Sequence, residues 1–90
     1  MPHDADPPSS AFEQAMRCID IIAFALGEAG ATLDDVVRTR IYVTDAGAMD
    51  EVGRAHREAF GHARPATTGL VTELLDERWL VEIEAEAYVA

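Results

Sequence analysis

Ninety residues with 49% hydrophobic and 27% charged side chains fit one globular domain and exclude a second. A formal net charge of -10, from 17 acidic against 7 basic residues, sets the chain against phosphate backbones and anionic lipid, so neither nucleic acid nor a membrane surface is expected as a partner. The single cysteine, Cys18, leaves no disulfide within the chain and fits a cytoplasmic, reducing setting.

A chain of this size buries only about 60–65% of the surface its unfolded form exposes, so oligomerisation is a natural supplement to a small core. Residues 1–9 hold three of the 4 prolines and read as an unstructured lead, with no signal or transit character, before a single domain over residues 10–90. No apolar run approaches the length of a membrane-spanning helix.

Structure is expected from Ser10, where Ser10-Ala11-Phe12-Glu13 has capping-box spacing. Phe12, Met16, Ile19, Ile22, Ala23, Leu26 and Ala29 then recur at helical steps as an apolar stripe, and Gly27 and Gly30 weaken and end the helix. Cys18, at the flank of that stripe, reads as a small buried hydrophobe, since no basic neighbour would activate its thiol. After a turn at residues 31–35, Val36–Thr44 is rich in β-branched residues and reads as a strand, with Val37, Thr39, Ile41 and Val43 on one face and Arg38, Arg40 and Tyr42 on the other.

Asp45 is placed to cap a second helix with Met49, Val52, His56, Ala59 and Phe60 along its inner side, stopped by Gly61. Two further strands are expected at Arg64–Val71 and Trp79–Val89; the second alternates Trp79, Val81, Ile83, Ala85 and Ala87 with Glu82, Glu84 and Glu86. A hairpin with a long loop would join them, with Leu74 and Leu75 tucked beneath it. The order predicts an α+β fold with both helices on one face of an antiparallel or mixed sheet, and an open face where Arg38 and Arg40 meet the glutamates.

Val36-Val37-Arg38-Thr39-Arg40-Ile41-Tyr42-Val43-Thr44-Asp45, Phe60, Arg64-Pro65-Ala66-Thr67-Thr68 and Leu80-Val81-Glu82-Ile83-Glu84-Ala85, in this order, resemble the RidA (YjgF, L-PSP) family. The resemblance implies a chorismate-mutase-like fold, a homotrimer with clefts between subunits, and hydrolysis of reactive enamines and imines to 2-oxo acids and ammonia. It also implies a small-molecule substrate and no metal or organic cofactor. The family's water-orienting glutamate falls on Glu82, while spacing alone reads Glu82 as one of several acids on a solvated strand face.

The family's carboxylate-clamping arginine falls on Thr67, so a bidentate clamp is not expected there. Gly53 and His56 fall on positions held elsewhere by asparagine and tyrosine, and Gly69 on that of a cysteine. Arg64 is the guanidinium nearest in sequence to the vacated position, and Thr67, Thr68, Gly69, Gly53 and His56 complete the expected substrate-binding set. His56 and His62 lack metal-ligand spacing, and no metal site is expected. The family begins with two strands where this chain has its Pro-rich lead, which suggests a shortened reading of a longer gene or a minimal version whose sheet edge another subunit covers.

Overall fold

In the computed structural model, which describes residues 6–90, helix α1 (Ala11–Glu28) opens at the predicted cap: Ser10 keeps extended backbone geometry and its Oγ accepts from the Glu13 N–H at 3.0 Å. The helix closes through glycine. Gly30 adopts φ 83°, and the Gly30 and Ala31 N–H groups donate to the Gly27 and Leu26 carbonyls at 3.2 and 2.8 Å, which caps carbonyls that the helix itself leaves open.

The buried stripe of α1 differs from the predicted one. Ala11, Gln14, Ala15 and Ile19 are buried, Phe12, Met16, Ile22, Ala23 and Leu26 are half-buried, and Ala29 is exposed. Alanines at 11 and 15 place no bulk between the helix and its neighbours, so the larger side chains flank the contact; Phe12 lies under the Arg54 guanidinium, 4.2 Å from its ring centroid.

Strand β1 (Val36–Val43), helix α2 (Met49–Phe60), β2 (Ala66–Val71) and β3 (Val81–Ala87) follow. Asp45 caps a short 3-10 turn, Ala46–Ala48, through the Gly47 N–H at 2.8 Å, and α2 starts one turn later than the cap alone suggests. The sheet is mixed, in the order β2-β1-β3, with β2 parallel and β3 antiparallel to β1.

The expected hairpin between the last two strands is therefore absent. A strand, a helix and a strand in succession return the chain parallel to β1, and residues 72–80 then carry it across the end of β1 to the opposite edge. That crossing is pinned at both sides of β1, by Thr72 N–H to Val43 O at 2.9 Å and Thr44 N–H to Leu80 O at 3.0 Å. Leu74 is half-buried in it, but Leu75 is fully exposed, contrary to the sequence reading.

Both helices cover one sheet face. Val36, Ile41, Val43 and Val81 of the sheet face pack against Val52, Ala55 and Phe60 of α2, all buried. A bulge between Val36 and Arg38 shifts the alternation, so Val36 is buried and Val37, predicted inward, is 53% exposed. Gln14 is a buried polar residue that bonds backbone on both sides of its amide: Nε2 donates to the Pro8 and Arg78 carbonyls at 2.8 and 3.1 Å, and Oε1 accepts from the Leu80 N–H at 2.6 Å.

These bonds tie the lead to the start of β3. Residues 6–9 carry no helix or strand, yet Pro7 and Pro8 are half-buried and Asp6 pairs with Arg78 at 2.9 Å. The remainder of the predicted unstructured lead, residues 1–5, lies outside the described residues.

Candidate functional site

Parallel register places Thr39 of β1 beside Thr67 of β2, and both side chains point to the helix-covered face, where His56 of α2 descends on them. Thr39 Oγ1 lies 2.8 Å from His56 Nε2 and 2.8 Å from Thr67 Oγ1. Thr67 also donates to its own turn, at Pro65 O 3.2 Å away. The His56 ring is tilted against Phe60 with centroids 4.7 Å apart, and burial holds the imidazole below its ordinary pKa.

Two glycines flank this cluster. A Cβ on Gly69 would stand 2.9 Å from Cε of Met49, the free end of a flexible side chain that can swing aside; Gly53, on α2, lies half-buried beside Arg57. Arg64 sits in the connection before β2 with φ 50°, a left-handed conformation unusual for a residue with a side chain, secured by its N–H to the Phe60 carbonyl at 2.9 Å. Its side chain is exposed at the mouth of the β2 strand.

The open face has a different chemistry. Arg40 Nη1 meets Glu84 Oε1 at 3.0 Å and Tyr42 Oη donates to the same oxygen at 2.8 Å, the cross-strand pairing that the alternating pattern predicts. Glu82 faces outward opposite Tyr42, and Thr68 outward opposite Arg40. Glu82 borders a groove of ≈ 390 Å³ along the free edge of β3, lined by Cys18, Ile21, Ile22, Trp79, Val81 and Ile83. Burial pushes the Cys18 thiol up to about 11, so the cysteine behaves as the small hydrophobe its position suggested.

His56 and Thr67 thus come together through Thr39, with Gly53 one turn before His56 on α2 and Gly69 two residues beyond Thr67 on β2, and Glu82 does not join them. It lies on the other sheet face and on the far side of β1, about 9.5 Å away in strand spacings alone. Among the described residues, no group of three or more His, Cys, Asp or Glu is placed to hold a metal ion, and no helix is long and apolar enough to cross a membrane.

The fold and these segments have relatives. A family described as Endoribonuclease L-PSP matches residues 2–89. A crystal structure of a YjgF/YER057c/UK114 family member from Mycobacterium tuberculosis superposes with a TM-score of 0.87 at 52% identity, over 91% of this chain and 70% of that one. The chain belongs to the YjgF/RidA/L-PSP family.

A RutC family protein of Pyrococcus abyssi is 37% identical over 76 residues, which is 84% of this chain and 60% of that protein. A YjgF family member from Neisseria meningitidis has a TM-score of 0.85 at 26% identity, over 91% of this chain and 70% of the other. The chain spans about 60% of the length of the curated relatives it matches. In this RidA-family chain the residue that sequence reasoning missed is Thr39, read only as a member of a strand face. The signal was available: a hydroxyl at an inward position between Val37 and Ile41 needs a partner when buried.

Proposed function

We propose that this RidA-family chain is a cytoplasmic hydrolase of reactive imines or enamines, or of a related small carbonyl-derived compound, and that Thr67 sets its substrate range. The observation that carries this reading is Thr67 itself: an exposed residue whose hydroxyl is bonded to Thr39 beside His56, at the position where the family's arginine is expected. The Thr67 hydroxyl has one hydrogen, already directed within the protein, whereas a guanidinium grips a carboxylate with two donors. A substrate held here is bound without that clamp, or by Arg64 from the adjoining turn.

Glu82 is the group proposed to orient the attacking water. Because it occupies the opposite sheet face from Thr67, the reading requires chains to associate, as a homotrimer, so that Glu82 of one protomer meets Thr67 of its neighbour. The same separation favours a second reading, a non-catalytic trimer that binds a small metabolite or a protein. Neither reading calls on a metal, and the net charge of -10 weighs against RNA as substrate.

The test is hydrolysis of 2-iminopropanoate, generated in place by an amino-acid oxidase, with the chain and its Glu82→Ala and Thr67→Arg variants. Acceleration by the unmodified chain that Glu82→Ala abolishes supports the hydrolase. Activity appearing only in Thr67→Arg assigns the natural substrate to compounds without that carboxylate. Inertness of all three, in a chain whose solution mass is that of a trimer, favours the binding module.

A further inference from the structure

Thr39 has one hydroxyl hydrogen, yet its Oγ1 lies 2.8 Å from both His56 Nε2 and Thr67 Oγ1, so it donates to one and accepts from the other. With the imidazole protonated on Nδ1, Thr67 turns its one hydrogen from Pro65 O, 3.2 Å away, to Thr39 at 2.8 Å, and Thr39 donates to Nε2. With the proton on Nε2 the polarity of the whole chain reverses. The direct His56–Thr67 separation is 3.5 Å, at the limit of a hydrogen bond, so Thr39 is the intermediary.

The three groups also grade from core to surface. Thr39 is 1% exposed, His56 is half-buried and Thr67 is exposed on an edge strand. We propose that His56, acting through Thr39 and Thr67, takes up and returns the proton in chemistry on a small imine- or carbonyl-bearing ligand seated at Thr67. This rests on the hydrolase reading above and assigns positioning roles to His56 and Thr39.

Water against Thr67 attacks the carbon of a protonated imine; as the C–O bond forms, the C=N pair moves onto nitrogen. One water proton passes to Thr67, the Thr67 proton to Thr39 and the Thr39 proton to Nε2, giving a neutral carbinolamine and an imidazolium. The proton then returns along the chain to nitrogen, the C–N bond breaks, and the hydroxyl proton leaves with ammonia as ammonium. Glu82 of a neighbouring protomer orients the water, and the relay carries its proton.

Desolvation keeps His56 below 6.5 and therefore neutral, as a base, at pH 7. The charged groups of the surrounding elements are Asp50, Glu51, Arg54, Arg57 and Glu58 on α2 and Arg64 before β2, while Arg38 and Arg40 of β1 project to the opposite face.

The experiment is the pH profile of kcat/KM for 2-iminopropanoate in the unmodified chain and in His56→Gln, Thr39→Val and Thr39→Ser, each checked for native circular dichroism. The unmodified rate should fall as pH drops through the depressed His56 pKa. His56→Gln and Thr39→Val should lose about 100-fold and the pH dependence with it, and Thr39→Ser, which keeps a hydroxyl, should recover most of the loss. A folded Thr39→Val with unmodified rate and profile overturns the relay while leaving the hydrolase intact.

If the folded, unmodified chain hydrolyses no imine, the hydrolase reading fails and the relay that rests on it is overturned with it.

Discussion

The two faces of the sheet hold similar polar inventories under different physical conditions. On the helix-covered face, Gln14 and Thr39 are buried and their bonds are obligatory, because a buried donor or acceptor without a partner carries its full desolvation penalty. On the open face, Arg40, Tyr42 and Glu84 meet at similar distances, but water competes for each of them. The comparison teaches that a bond length says little about its energetic weight until burial is known.

Variants that break the covered face should have the largest effects. Phe60→Ala removes the largest fully buried side chain, and urea denaturation should show a loss of about 3–5 kcal/mol. Gln14→Leu keeps the volume but strands the Leu80 N–H and the Pro8 and Arg78 carbonyls, and the same assay should record a loss of roughly 1–3 kcal/mol. A value within error of the unmodified chain would mean that water reaches those groups.

Acid should sharpen the contrast. The folded pKa of His56 is depressed below 6.5, so below pH 6.5 the unfolded chain binds a proton that the folded chain resists. Stability should therefore decline as pH falls from 6.5 and be insensitive to this group above it, and His56→Phe should flatten that decline in thermal melts. Asp76, half-buried at the surface and held at about 2 by the Arg78 side chain and backbone N–H, acts only in a lower window, between 3.8 and about 2.

The smallest effect belongs to the open face. Arg40→Ala should change stability by about 0–1 kcal/mol, and the change should shrink further in molar salt. A larger, salt-insensitive loss in a chain that associates would indicate that this face is desolvated between protomers.

Much of the fold was legible because its causes are local. The Ser10 cap, the Gly30 termination and the alternation of Val81, Ile83 and Ala85 with Glu82, Glu84 and Glu86 each depend on residues a few positions apart. The bulge at Val36 to Arg38 was not legible, since alternation read from sequence assumes an unbroken pleat and so places Val37 inward. Of the candidate site, the residue identities were present from the start, but their grouping was not.

The sequence by itself determined the elements, the acidic balance and the segments that mark the family. Tertiary structure alone decided that β1 lies between β2 and β3, and with that the placement of every candidate residue. Strand pairing is set by contacts between residues far apart in the chain, so no local pattern encodes it. The central position of β1 brings Thr39 under His56 and beside Thr67, and it puts Glu82 on the other face, beyond the reach of any of them within one chain.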